Sequence, residues 1–298
     1  LHKYGVSIVN IGNTAFKRYA KIFSRSKGWL AKGNSPLKLP VSVVTDVDVR
    51  PFEFYKDKKM ENTTLLVIQD EDKLKEIISL SIEPSSIEIK ELQELIGQIF
   101  NSFTDFTTKM DQYALEFDKD KRDEITKVLS TSINKELITT LKKNKKKQIE
   151  LEFESFKPNL EIFVAPNWTL EYELSLSSLS KDLAEVIHSI RYKNPYTNTN
   201  KKKLEIIIEN LAKSDQLEKV AYEIYKPLND KIVSKAIVAQ ALAKKIENST
   251  LELKKALSKD PYLDYLIKAI YHVTEPMKGD KRIGEVVRKP SVREKSNS

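Results

Sequence analysis

Apolar residues near the start of the chain form short runs separated by polar turns. Val6–Ile11 (VSIVNI) predicts a short buried strand and Val41–Val49 (VSVVTDVDV) predicts a second, because nearly continuous Val and Ile runs are typical of strands covered on both faces. Asn13 or Thr14 is a suitable N-cap for a helix over Ala15–Ser26 between the two strands. This strand–helix–strand order is a βαβ unit, which predicts a parallel sheet.

The middle of the chain has apolar residues at helical spacing. They predict one helix over about 89–110 and another over about 122–142, which we expect to form an antiparallel hairpin inserted between sheet strands. The basic run Lys142–Lys147 would then be a solvated helix end or loop. Gln148–Glu154 alternates apolar residues with glutamates and predicts a half-exposed strand, and Leu160–Ala165 predicts a buried one.

Helical patterns dominate the rest of the chain. Thr169 is a plausible N-cap for a helix that runs to about residue 191. Further helices are expected near 202–213, 215–248 and 250–274, and the second of these should break near Pro227. The basic, Pro-containing residues 275–298 predict a disordered tail. The expected fold is therefore α/β, with a mostly parallel sheet flanked by helices, an inserted helical hairpin and additional C-terminal helices.

Composition limits the possible chemistry. The chain of 298 residues has 32% charged residues and only 7 glycines, which is typical of a helix-rich protein. It contains no cysteine, so disulfides, thiolate catalysis and cysteine zinc sites are excluded, and the 3 histidines have no ligand spacing. Without a membrane-spanning apolar run or a signal-peptide pattern, we expect a soluble cytoplasmic protein. The net charge of +8 suits a polyanionic partner such as DNA.

Two aspartates at the end of the second predicted strand suggest a metal site. Strand side chains alternate, so Asp46 and Asp48 would point to the same side, at the carboxyl end where ligands bind to open α/β sheets. Two adjacent carboxylates repel each other unless a cation lies between them. An acidic turn without a metal is the structural alternative. The same D-x-D pattern also fits aspartyl phosphatases and sugar-nucleotide transferases, and a haloacid dehalogenase-like phosphotransferase ranks last because Val49–Arg50–Pro51 replaces the small residues expected there.

Four motifs together resemble one family. The segments VSIVNIGNTAFKRYAKIF, LPVSVVTDVDVRP and FVAPNWTLEYELSLS, followed by SKAIVAQALAKKI at Ser234–Ile246, are similar to the Toprim nuclease domain of the OLD (overcoming lysogenisation defect) ATP-dependent endonucleases. The resemblance divides the chain into a first part of the Toprim core (1–59), an inserted helical region (60–147), a second part of the core with the C-terminal helices (148–274) and a basic tail (275–298). It implies a Toprim-like sheet.

The resemblance implies a role for each matched residue. Asp46, Asp48 and Glu171 would bind Mg²⁺ or Mn²⁺ in a two-metal site, with Glu171 also serving in catalysis, and Lys235 would lie near the scissile phosphate. Glu171 could instead be a first-turn carboxylate that the helix dipole stabilises without any metal. Lys235 could be a lysine that reaches from an apolar stripe into water. Glu173 is expected to face solvent, and Trp168 to be a packing anchor.

Partners follow from the same resemblance. A basic face formed by Lys17, Lys21 and Arg25 could track DNA phosphates, although a solvated face is the simpler interpretation. The family implies DNA as substrate, a homodimer or a partner that carries the ATPase domain, ATP through that domain only, and a role in anti-phage defence. Toprim enzymes also carry a glutamate upstream of the matched segment, and Leu1–Gly5 provides none. The alternative is therefore a non-catalytic fragment that binds DNA or protein.

Overall fold

The structure is a computed structural model that describes residues 5–11, 19, 40–61, 63–83, 89–154, 160–247 and 249–274. Within these residues helices predominate and the strands form two small sheets, so the predicted α/β class is confirmed. The strands are β1 (Val41–Thr45), β2 (Thr64–Val67), β3 (Ile99–Phe100), β4 (Ser130–Ser132) and β5 (Leu160–Val164).

The described helices are distributed along the whole chain after β1. They are α1 (Phe52–Asp57), α2 (Glu71–Ser79), α3 (Phe103–Asp111), α4 (Arg122–Leu129), α5 (Lys135–Phe153), α6 (Leu170–Leu176), α7 (Ser180–Arg191), α8 (Asn198–Leu211), α9 (Leu217–Asn229), α10 (Lys235–Glu247), α11 (Leu251–Leu257) and α12 (Asp264–Thr274). Short 3₁₀ helices cover Ile89–Leu95, Lys119–Lys121 and Ser214–Gln216.

The two sheets differ in direction. β1 and β5 form a parallel pair. The other sheet has the order β3-β2-β4 and is antiparallel, with Leu66 opposite Phe100 and Leu65 opposite Thr131. The prediction of one mostly parallel sheet is therefore wrong for the described strands. The reason is that the segment expected to be a helical insertion supplies three strands of its own.

The described residues cluster into two compact units. The smaller contains 5–11, 19, 40–44, 152–154, 160–163 and 265–274. In it Phe153 and Leu160 form a small apolar cluster with Val41 and Val43, and the hydroxyl of Ser42 donates to the Ala269 carbonyl at 2.7 Å. The larger contains the described part of 45–151 and 164–264. The predicted boundaries at 59, 147 and 274 stay predictions.

The larger unit has two hydrophobic cores. One is built mainly by α6, α7, α9 and α10, and its buried side chains include Trp168, Tyr172, Leu183, Ile187, Ala221, Tyr225 and Leu242. The other lies between β2 and helices α2 to α4, and includes Ile68, Leu74, Phe100, Phe106 and Leu129. Aromatic rings in the first core meet edge to face, with Trp168 and Tyr225 centroids 4.8 Å apart, which confirms Trp168 as a packing anchor.

The predicted strand Val6–Ile11 is not present. This segment is described but forms no strand, and the side chains of Ile8 and Val9 are 79% and 67% exposed. An apolar run becomes a strand only when another strand accepts its hydrogen bonds, and no described strand pairs with this segment. The predicted helix over Ala15–Ser26 and the tail after residue 274 lie outside the described residues, apart from Tyr19.

The predicted helical hairpin is also wrong. Residues 89–110 contain a 3₁₀ helix, then β3, then α3, because Gly97 has φ +87° and residues 99–100 pair with β2. Residues 122–142 are divided by β4. Conversely, α5 runs through Lys142–Lys147 and on to Phe153, so neither a solvated loop nor the strand predicted over Gln148–Glu154 occurs there. The alternation over 149–153 is too short to distinguish a strand from a helix.

Predictions for the second half of the chain are better. β5 and the Thr169 N-cap are confirmed, since the Thr169 hydroxyl accepts the Tyr172 amide. Each long predicted helix is divided: α6 and α7 replace the first, α9 and α10 the one near Pro227, and α11 and α12 the last. Pro227 itself lies inside α9, and the helix ends only at Asn229. Among the described residues, no helix is both long and apolar enough to span a membrane.

Candidate active site

The predicted site residues lie after the two parallel strands. The loop that follows β1 carries Asp46 and Asp48, and the loop that follows β5 leads into α6. Backbone hydrogen bonds join these loops: the Ala165 amide donates to the Thr45 carbonyl at 2.9 Å, and the Val47 amide donates to the Trp168 carbonyl at 3.2 Å. Because carboxyl ends of parallel strands meet at one edge, residues far apart in the sequence come together here.

Asp46 is held by the start of α6. Its Oδ1 accepts the Leu170 amide at 3.0 Å. Burial of the carboxyl group raises its pKa, and the charges of Glu171 and Asp48 act in the same direction, while the Leu170 amide and Lys235 oppose them. Negative charge is thus concentrated at this point, and a cation near Asp46 would relieve it.

Asp48 reaches the site by a different route from the one predicted. β1 ends at Thr45, so neither aspartate belongs to a strand, and the alternation argument for a shared direction does not apply. Asp48 is exposed and has φ +58°, in the left-handed region that aspartate tolerates better than most residues. Its amide lies 3.5 Å from the Trp168 carbonyl. The left-handed backbone conformation at Asp48, rather than the pleat of a strand, sets its position relative to Asp46.

Glu171 and Lys235 form an ion pair. Glu171 lies in the first turn of α6, and its Oε1 is 2.9 Å from Nζ of Lys235, the first residue of α10. The ammonium also lies 5.8 Å from the centre of the Tyr225 ring. Partial burial opposes the charge on Lys235, but the hydrogen bond and charge of Glu171 outweigh it, so the pKa of Lys235 is raised. The lysine is half-exposed yet has a definite partner.

Glu173 was predicted to face solvent, and this is wrong. Its side chain is 0% exposed, and the carboxylate accepts the Asn167 amide at 2.5 Å, the Asn167 side-chain Nδ2 at 2.9 Å and the Trp168 amide at 3.3 Å. Burial nevertheless raises the pKa of Glu173, although these three donors oppose the shift. Helical spacing could have predicted the burial of Glu173, because it is three residues from buried Leu176 and four from Thr169.

The side chains of the site are of the right chemical type for a hard divalent ion, but few of them converge. Asp46 and Glu171 offer carboxylate oxygens, which Mg²⁺ and Mn²⁺ prefer. Within the described residues, however, no three acidic or histidine side chains converge closely enough to hold a metal on their own. Mg²⁺ is commonly held by one or two carboxylates, with water and substrate phosphate completing its shell. The residues therefore fit one such ion better than the two that the resemblance implies.

The predicted DNA-binding face cannot be placed. Lys17, Lys21 and Arg25 lie outside the described residues. Asp46, Glu171 and Lys235, in contrast, are brought together by the two loops, α6 and α10.

Comparison of the chain with protein-family models, with curated proteins and with solved structures found no match. The resemblance to the Toprim domain of the OLD nucleases therefore depends on the four sequence motifs. The geometry described above is independent of it.

Proposed function

We propose that this site hydrolyses phosphodiester bonds in DNA with the help of Mg²⁺ or Mn²⁺, as a Toprim-like nuclease related to the OLD family. The observation that carries the proposal is the convergence of Asp46, Glu171 and Lys235 beside the carboxyl ends of β1 and β5. Two acids and a lysine at this position are the groups needed to hold a cation and to neutralise phosphate charge.

Each residue has a distinct task in this proposal. Asp46 and Glu171, with Asp48 beside them, would hold the divalent ion, which when bound supplies an activated water and stabilises the leaving oxygen. Lys235 would leave Glu171 and pair with the phosphate, because its ammonium is half-exposed and close enough to the acids to exchange partners. The Leu170 amide keeps Asp46 oriented throughout. A homodimer, a partner bearing an ATPase domain and anti-phage defence remain parts of the proposal.

A metal titration of wild type and Asp46→Asn tests the site. Asparagine retains an oxygen that accepts the Leu170 amide, so the variant removes charge without removing this hydrogen bond. We expect Mg²⁺ or Mn²⁺ to raise the melting temperature of the wild type and to support relaxation of supercoiled plasmid, and both effects to be largely lost in Asp46→Asn. Asp72→Asn, whose carboxylate is 93% exposed in α2, is the matched control and should behave as wild type. Equal metal responses in all three proteins would contradict the proposal.

The alternative is a non-catalytic module that binds DNA or protein. The observation in its favour is that Lys235 already supplies the positive charge beside Glu171, so the described site is partly neutralised without a metal. This alternative predicts no thermal response to Mg²⁺ or Mn²⁺, no plasmid relaxation, and DNA binding that EDTA does not change.

A further inference from the structure

A strongly basic surface lies in the larger unit, where α7 is joined to α8. We call residues 191–203 the α7–α8 surface. No aspartate or glutamate occurs between Glu185 and Glu205, whereas this short segment contains five cations, all exposed: Arg191, Lys193, Lys201, Lys202 and Lys203.

Most of this positive charge has no acidic neighbour. Lys201 pairs with Glu205 at 3.6 Å. Arg191 and Lys203 instead lie against the ring of Tyr192, with the guanidinium carbon at 5.2 Å and Nζ at 5.0 Å from its centre. Among the described residues, no carboxylate forms an ion pair with Arg191, Lys193, Lys202 or Lys203. Cations gathered around an aromatic ring, with no counter-charge, suit a polyanion.

The backbone of this surface is fixed by its own hydrogen bonds. Buried His188 donates from Nε2 to the Pro195 carbonyl at 3.1 Å, and the Asn200 side-chain amide donates to the Asn194 carbonyl at 3.0 Å. The Thr197 hydroxyl caps α8. A loop held in this way adds little backbone ordering cost on binding, so the cost that remains is the ordering of its side chains.

Tyr196 is the most exposed large hydrophobic residue described. Its side chain is 86% exposed, and it lies in the loop that joins α7 to α8. It lines an open cleft of about 440 Å³ together with Ser189 and Lys244. The acidic residue of this cleft, Glu185, is paired with Lys245. A second cleft, of about 380 Å³, is lined by Asn198, Thr199, Lys202, Lys203 and Ile206. An exposed aromatic ring in a segment rich in cations suits stacking of an unpaired base.

We propose that the α7–α8 surface binds single-stranded nucleic acid. One base stacks on Tyr196, and the phosphates follow Arg191, Lys193, Lys202 and Lys203. A duplex is disfavoured as partner because its stacked bases offer no free face to Tyr196. The proposal needs neither a metal nor hydrolysis, so it stands or fails independently of the proposed nuclease activity.

The test is fluorescence anisotropy in EDTA with a labelled oligothymidine of about 20 nucleotides, an oligouridine and a duplex of equal length. Four phosphate contacts predict that log K falls with log salt with a slope of about −2.8, at about 0.7 per contact for a single strand. Tyr196→Ala should weaken binding by about tenfold and leave this slope unchanged. The double variant Lys202→Gln, Lys203→Gln should reduce the slope by about 1.4.

Two controls match these variants. Tyr271→Ala removes another exposed tyrosine, and Lys255→Gln with Lys259→Gln removes two exposed lysines elsewhere, so both proteins should bind as wild type. Equal affinity for both single strands supports recognition of the stacked base and the phosphates alone, and a preference for one of them adds a contact to the 2′-hydroxyl or to the thymine methyl group, the two features in which the strands differ. Tighter binding of the duplex, or wild-type affinity and slope in Tyr196→Ala and the double lysine variant, would overturn the proposal.

Discussion

At the scale of single residues, Glu173 connects packing to the candidate site. A carboxylate with no exposed surface is costly unless hydrogen bonds satisfy it, and here three donors from Asn167 and Trp168 do so. The carbonyl of Trp168 in turn accepts the Val47 amide, next to Asp46. Glu173 therefore holds the loop after β5, and that loop in turn holds the loop after β1 that carries Asp46.

Replacing Glu173 tests this chain of contacts. Glu173→Gln should lower the free energy of unfolding by about 1–3 kcal/mol, because the new side-chain amide directs a donor at Nδ2 of Asn167 unless the Asn167 side chain turns over. Adding Asn167→Asp reverses that hydrogen bond, so the double variant should recover about half of the loss or more. Urea denaturation measures both. Exposed Glu252→Gln is the control, and purely additive losses would contradict the predicted coupling.

Lys142 is a second, partly buried charge, and its effect on stability depends on pH. Burial lowers the pKa of Lys142, although the charges of Glu218, Glu173 and Glu53 oppose the shift. The charged lysine therefore destabilises the fold at neutral pH, and Lys142→Met should raise the free energy of unfolding by about 1 kcal/mol. The gain should shrink as pH rises through the lowered pKa and vanish above 10.5. Lys143→Met is the adjacent control, and a gain that persists at high pH would contradict this origin.

At the scale of elements, local chemistry was predictable and pairing was not. The Val-rich run gave β1, and Thr169 gave the start of α6, because both signals are contained in a few residues. The apolar pattern over 89–110 fits a single helix as well as it fits the 3₁₀ helix, strand and helix that the structure contains. Pairing of residues 99–100 with β2 overrides it, and this partner is about thirty residues away in the sequence.

Gly97 lies between the 3₁₀ helix Ile89–Leu95 and β3, where its positive φ ends the helical pattern. Replacing it tests how much this backbone conformation contributes to stability. At φ +87°, an alanine would be strained even though the space around Cβ is open enough, with Leu141 no closer than 3.8 Å. Gly97→Ala should therefore cost about 1–2 kcal/mol of stability in urea unfolding. Gln98→Ala, at the next residue, should cost less. Equal losses would show that packing, rather than backbone conformation, determines the effect.

At the scale of the whole molecule, the candidate site joins residues 46, 171 and 235. The sequence could suggest Glu171 and Lys235 only through motif resemblance, since no local spacing predicts that Lys235 meets Glu171 at 2.9 Å. The strand-alternation argument placed Asp46 and Asp48 together for the wrong reason, as both follow β1. Glu173 was missed because a glutamate two residues from a predicted ligand looks solvent-facing when the buried side of α6 is unknown.

The charge balance of the molecule leads to a final prediction about Lys235. The chain carries a net charge of +8, yet its candidate site concentrates acids, and Lys235 is the cation that pairs with Glu171 in the structure. A bound metal and this ammonium would compete for the same carboxylate. Lys235→Gln should therefore lower the Mg²⁺ or Mn²⁺ concentration needed for half of the thermal shift by about two- to fivefold, while it abolishes plasmid relaxation.

A matched control separates this competition from a general loss of positive charge. Lys245 lies on the same helix, α10, and pairs with Glu185 and, at 3.2 Å, with Asp182, so Lys245→Gln removes an equivalent charge from carboxylates outside the site. Its metal midpoint should equal that of the wild type. If both variants shifted the midpoint equally, the effect would be long-range electrostatics. If Lys235→Gln instead bound the metal more weakly than the wild type, the ammonium and the metal would not be competing for the Glu171 carboxylate, and this prediction would be wrong.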